Sequence, residues 1–104
     1  MSRVLIVDDD VDFARALARG LERAGYETAV ALNAADTLAA LEAEEFDRAC
    51  VDLRLGAESG LDLLDALLGR RPGLIVVVLT GYASIATAVE ATRRGARDYR
   101  AKPG

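Results

Sequence analysis

Short β-branched runs alternating with Ala/Leu/Arg segments of helical periodicity predict an α/β fold, a parallel sheet with helices wound on both faces. Two further observations support that class. The apolar runs end in polar groups: Val4-Leu5-Ile6-Val7 in Asp8-Asp9-Asp10, Ala49-Cys50-Val51 in Asp52, and the run from Leu74 to Leu79 in Thr80-Gly81. The 104 residues are 52% hydrophobic but only 5% aromatic, which suits one domain with an aliphatic core.

Taken in order, five strands are predicted at residues 3–7, 26–31, 48–51, 74–79 and 98–101, with helices at 12–24, 35–45, 60–70 and 84–94. The first, third and fourth strands are the most continuously apolar, as strands covered on both faces must be, and are expected at the centre. In the first helix, Leu17, Leu21 and Ala24 recur at spacings that put them on one face. Ser59 and Ser84 are placed to cap the third and fourth helices, and Gly25 and Gly95 to stop the first and fourth. Arg70-Arg71 and Arg93-Arg94 fall at helix C-termini, where cations complement the carbonyl dipole. A sheet of this kind needs helices on both faces, yet little follows the fifth strand. The chain is therefore expected to be part of a longer polypeptide, cut before its last helix, with exposed apolar sheet that favours association.

Charge and cysteine usage exclude several function classes. A net charge of −4 gives no footprint for nucleic acid or anionic membrane. One cysteine, Cys50, cannot pair within the chain, and no secretory leader pattern opens it, so a reducing cytoplasmic setting is expected. The longest apolar run falls far short of the ~20 residues of a membrane span. Within a central strand, Cys50 reads as an inert thiol rather than a redox sensor.

In doubly wound sheets, functional groups gather at the C-terminal strand ends beside the point where strand order reverses. Asp8, Asp9, Asp52, Thr80 and Lys102, the only lysine, all occupy such ends. Crowded carboxylates repel one another unless a hard, oxygen-preferring cation neutralises them, and magnesium suits that role. A carboxylate beside such a cation can attack an electrophilic phosphorus to give an acyl phosphate. Lys102 would then pair with one phosphoryl oxygen and the Thr80 hydroxyl would donate to another. Singly, each residue has a plainer explanation: acids favoured at a helix N-terminus, a loop cap, a turn, a surface cation. Their ordered occurrence at successive strand ends does not.

On these residues the chain resembles the receiver domain of two-component response regulators over all but the last helix of that domain. The resemblance implies a flavodoxin-like, doubly wound five-stranded sheet of order 2-1-3-4-5. It further implies that Asp52 is the phosphoacceptor, that Asp9 holds Mg2+ directly and Asp8 through water, and that Asp52 and the Arg54 backbone carbonyl complete the protein ligands. Thr80 would be the switch hydroxyl, Tyr99 the switch aromatic and Lys102 the phosphoryl-binding lysine, with a cis Lys102–Pro103 peptide. The stretches VDLRLGAESGL at 51–61 and LTGYASIATAV at 79–89 are similar to those of the RegA/PrrA/ActR redox-responsive group. A Met-Pro pair common in the family after the acceptor is Leu55-Gly56 here. The implied partners are a sensor histidine kinase, a second copy on phosphorylation, and DNA only through a C-terminal domain outside this chain. No membrane partner is implied, and the domain would be a switch rather than an enzyme.

Two other functions compete. Haloacid-dehalogenase-like phosphatases also place Asp-x-Asp after the first strand, and Asp8 as nucleophile, Asp10 as general acid, Thr80 and Lys102 can be threaded onto that scheme. It leaves Asp52 idle, offers no later acidic pair, and needs a longer chain. A pseudo-receiver that never accepts phosphate would normally lack an acid, the Thr or the Lys, and all are present. A flavin-binding domain of the same architecture is disfavoured by the acidic first loop, which repels a flavin phosphate.

Overall fold

The computed structural model describes residues 2–81 and 83–103. Tyr82, within one of the stretches that carry the resemblance, lies outside the described residues. Strands β1 (Arg3–Val7), β2 (Glu27–Ala31) and β3 (Arg48–Val51) alternate with helices α1 (Val11–Arg23) and α2 (Ala34–Ala43). After β3 the chain makes a small antiparallel hairpin, β4 (Arg54–Leu55) and β5 (Glu58–Ser59), before α3 (Gly60–Arg70). Strand β6 (Ile75–Thr80), helix α4 (Ile85–Arg93) and strand β7 (Asp98–Ala101) complete the order. The five long strands form one parallel sheet, β2-β1-β3-β6-β7. With the hairpin set aside, that is the 2-1-3-4-5 order expected, with the three most apolar strands in the middle.

The pleat sorts β1 into two cores. Leu5 and Val7 join Val51, Val76, Val78, Leu64 and Leu67 beneath α2, α3 and α4, whereas Val4 and Ile6 meet Ala14 and Ala18 of α1. Coverage on the α1 side is thinner. There β6 shows Ile75, Val77 and Leu79 half-buried, while Val76, Val78 and Thr80 on the other side are fully buried. Leu17 and Leu21 pack at the edge of α1's contact, but its buried residues are Ala14 and Ala18, and Ala24 is exposed as the C-cap. Small side chains let the helix sit close to the sheet, which the larger apolar residues could not predict.

Local chemistry sets the helix ends. Asp10, Asn33, Ser59 and Ser84 each accept a backbone N–H three residues on, so the two predicted serine caps hold. Gly25 (φ 99°) and Gly95 (φ 110°) take the left-handed conformation at the ends of α1 and α4, which a side chain resists. One expectation is overturned: the Lys102–Pro103 peptide is trans. Trans is the lower-energy isomer of an X–Pro bond, and Pro103 is exposed.

Candidate functional site

Three site residues are held by one device, the next rung of the parallel ladder beyond a strand end. The Asp8 N–H donates to Ala31 O (3.1 Å), the Asp52 N–H to Val7 O (2.9 Å), and the Lys102 N–H to Thr80 O (2.9 Å). Pairing of β1, β3, β6 and β7 thus carries Asp8, Asp52, Thr80 and Lys102 to one edge of the sheet. Asp8, Asp52 and Thr80 are buried there, at 3%, 5% and 0% exposure, and Lys102 is partly buried.

The two buried carboxylates are used alike. Oδ1 of each turns back to a backbone N–H two residues on, Asp8 to Asp10 (2.9 Å) and Asp52 to Arg54 (3.2 Å), which fixes both side chains against their own loops. Oδ2 of each then faces Lys102, whose Nζ is 2.9 Å from Asp8 and 2.9 Å from Asp52. One ammonium therefore joins strand ends contributed by β1, β3 and β7. Burial pushes the Asp8 carboxyl above its ordinary range, against the opposing pull of Lys102 and the Asp10 N–H. For Lys102 burial works the other way, but the hydrogen bonds to Asp8 and Asp52 outweigh it and leave the ammonium held above its ordinary pKa.

Exposed Asp9 completes an acidic triad: one carboxylate oxygen each from Asp8, Asp9 and Asp52 lie within 4.8 Å of one another. Lys102 supplies one positive charge against three, so the triad keeps an excess of negative charge directed into a cleft of about 370 Å³ lined by Asp9, Asp10, Asp52, Arg54, Gly56 and Lys102. Closely set oxygen donors without nitrogen or sulfur fit a hard divalent cation. Cys50 is two residues from Asp52 but faces the α1 side, beside Val4, Leu17, Tyr26 and Val77. Burial, then the charges of Asp8 and Asp52, push its thiol up to about 11, which leaves it protonated and unreactive, as expected.

Of the predicted site residues, Asp8, Asp9, Asp52, Arg54 and Lys102 converge on the cleft, and Thr80 lies buried at the same edge. Tyr99 stands apart. Its ring packs against the core under α4, and its hydroxyl accepts the Ser84 N–H at 3.3 Å. Asp10, the general acid of the phosphatase scheme, has its Oδ1 on the Phe13 N–H (3.1 Å) as the cap of α1, whereas Asp52, idle in that scheme, sits at the centre.

Sequence reasoning missed two residues. Buried Gly60 presses against the Asp52–Leu53 backbone, and the ring of Phe13 lies 4.4 Å from Lys102 Nζ, centroid to nitrogen. A glycine opening a helix behind a serine cap, and one aromatic in an Ala/Leu/Arg helix, were the available signals.

Comparison with known proteins agrees with this geometry. The chain is 48% identical over 100 residues to the acid tolerance regulatory protein ActR of Sinorhizobium medicae, covering 96% of this chain and 52% of that protein. To the photosynthetic apparatus regulatory protein RegA of Rhodovulum sulfidophilum it is 47% identical, covering 96% of this chain and 55% of that one. It therefore spans about half the length of these relatives. A response regulator from Burkholderia pseudomallei, crystallised with a phosphorylated aspartic acid, calcium ion and citrate, superposes with a TM-score of 0.95 at 48% identity, covering 100% of this chain and 61% of that one. Residues 4–104 match the family described as the response regulator receiver domain. With its sheet order, its acidic triad and its bridging lysine, the chain belongs to the response regulator receiver domain family, in the group represented by its ActR and RegA relatives.

Proposed function

We propose that this domain is a phosphorylation switch in which Asp52 accepts a phosphoryl group from a sensor histidine kinase. The observation that carries this reading is the Lys102 ammonium placed 2.9 Å from both Asp8 and Asp52, with Asp9 completing the triad. Asp8, Asp9, Asp52 and the Arg54 carbonyl would hold Mg2+, which supplies charge neutralisation for the transferring phosphoryl oxygens. Fixed by its turn to the Arg54 N–H, the Asp52 carboxylate attacks phosphorus. An O–P bond forms, the P–N bond of the phosphohistidine breaks, and the imidazole leaves with the electron pair. Lys102 passes from the carboxylates to a phosphoryl oxygen as the charge moves, and Thr80 donates its hydroxyl to another.

Readout follows from where Thr80 sits. Drawing it toward phospho-Asp52 alters the packing around Tyr99 and so the surface of α4 and β7, shifting a two-state population. The phosphorylated form pairs with a second copy and acts through a DNA-binding domain outside this segment, in the cytoplasm. The regulatory names of the relatives support that reading. The domain is a substrate and sensor of phosphate, not a turnover enzyme.

Intact mass after incubation with Mg2+ and a small acyl-phosphate donor tests the acceptor. One added phosphate is expected in the parent, none in Asp52→Asn, and slower labelling in Asp8→Asn. Labelling that survives Asp52→Asn but requires Asp8 would hand the site to the phosphatase scheme.

A further inference from the structure

The ammonium of Lys102 meets two carboxylate oxygens and an aromatic ring. Asp8 Oδ2 and Asp52 Oδ2 each lie at 2.9 Å, and the centroid of the Phe13 ring lies at 4.4 Å. That separation is well within the ~6 Å over which a cation is attracted by the negative face of an aromatic ring. Phe13 does not reach this position by the freedom of an exposed side chain. It is half-buried in the first turn of α1, and its own N–H is held by Asp10, the cap of that helix. The acidic triplet thus divides its labour: Asp8 pairs with the lysine, Asp9 opens to the cleft, and Asp10 fixes the backbone that carries the ring over the lysine.

Resting on the phosphorylation reading above, we infer that Phe13 is a positioning residue for phosphoryl transfer, acting through Lys102. A lysine side chain ends in a compact point charge on a flexible four-carbon stem. Its two carboxylate partners do not both persist through the reaction, because Asp52 loses its charge on the bonded oxygen as the acyl phosphate forms and only Asp8 is left unchanged. The ring is unchanged by the chemistry. It keeps the ammonium on the cleft side while its hydrogen bond passes from Asp52 to the phosphoryl oxygen, and it covers a flank that water would otherwise solvate. Preserving that geometry removes a reorganisation from the barrier.

Because Lys102 is the only lysine in the chain, its side chain can be read without ambiguity. The test compares the parent, Phe13→Leu, Phe13→Met and Phe13→Tyr, each checked for native circular dichroism, in two arms. Without metal, the ε-methylene protons of Lys102 are expected upfield of their ordinary position in the parent and in Phe13→Tyr, where a ring face is present, and at the ordinary position in the two ringless variants. At saturating Mg2+, labelling by the small phosphoryl donor is expected to slow by about two- to tenfold in the ringless variants, the scale of one cation–π contact, with Phe13→Tyr restoring the rate. A parent ε-methylene at its ordinary position would overturn the inference, as would ringless variants labelled at the parent rate. Failure of the parent itself to label would instead sink the phosphorylation reading, and the inference with it.

Discussion

Gly60 lies so close to the backbone of Asp52 that a Cβ on it would come within 2.6 Å of the Asp52 carbonyl oxygen and 2.4 Å of the Leu53 Cα. The Gly60 N–H donates to Leu53 O at 2.9 Å, so the start of α3 is pulled onto the segment that carries Asp52. Its backbone does not need the left-handed region; only the absence of a side chain permits the approach. The neighbouring atoms are backbone, which cannot rotate aside.

Gly60→Ala is therefore expected to force α3 and the Asp52 loop apart. Overpacking of this kind costs about 1–3 kcal/mol, or a fall in Tm of roughly 4–8 °C for each kcal/mol in a domain this size. Labelling of Asp52 should slow as well, because the turn from Asp52 Oδ1 to the Arg54 N–H lies in the displaced segment. Thermal unfolding of Gly60→Ala beside the parent decides this, and an unchanged Tm would mean that the contact relaxes without cost.

How Asp8 titrates sets a pH dependence for metal binding. Burial raises its folded pKa above the ordinary 3.8. The stability linked to this group is therefore fully present below about 3.8 and is lost as pH rises through the folded value. Above that value the metal-free fold carries an ionised, desolvated carboxylate, and a divalent cation relieves it. Below it a bound cation must first displace a proton. The rise in Tm produced by a fixed Mg2+ concentration should consequently be smallest at the acid end, grow as pH increases through the folded pKa of Asp8, and then level. Taking the difference with and without Mg2+ at each pH cancels the carboxylates that do not hold the metal, and repeating it in Asp8→Asn separates the part due to Asp8 from that of Asp9 and Asp52. A metal-induced shift that is flat from about pH 4 to 7.5 would show that Asp8 does not contribute.

Where the chain punctuates itself with polar residues, its sequence is a good guide. Strands β1, β3 and β7 and helix α3 occupy the predicted residues because each is bounded by charged or Gly/Ser residues, and the strand ends alone locate Asp8, Asp52, Thr80 and Lys102. The β4–β5 hairpin was invisible because strands of two residues have no period to detect. It matters nonetheless: Glu58 accepts the Ala34 N–H at 3.1 Å and so joins the loop after Asp52 to the start of α2. Phe13 and Gly60 escaped for a different reason. Their roles are set by distances across the fold, from α1 to the end of β7 and from α3 to the end of β3, and no local pattern encodes such a distance. The trans peptide before exposed Pro103 is the lower-energy isomer of an X–Pro bond, and a Lys-Pro pair by itself does not select cis.

The last prediction concerns the route from the site to α4. The Ser84 N–H donates to Tyr99 Oη at 3.3 Å, and Ser84 is also the cap whose side chain accepts the Thr87 N–H. Tyr99 therefore ties β7 to the N-terminus of α4 through its hydroxyl, in addition to the packing of its ring. Tyr99→Phe keeps the ring packing and removes that acceptor, so Ser84 amide exchange should quicken while global stability falls by only about 0.5–1.5 kcal/mol. In the parent, a phosphate mimic such as beryllofluoride with Mg2+ should change protection across residues 84–99, because moving Thr80 repacks the space beside Tyr99. In Tyr99→Phe the Ser84 N–H has already lost its acceptor, so the mimic should add little at Ser84. Hydrogen exchange read residue by residue separates the cases. If the mimic leaves residues 84–99 of the parent unchanged, Tyr99 is a packing residue and the signal leaves the site by another surface.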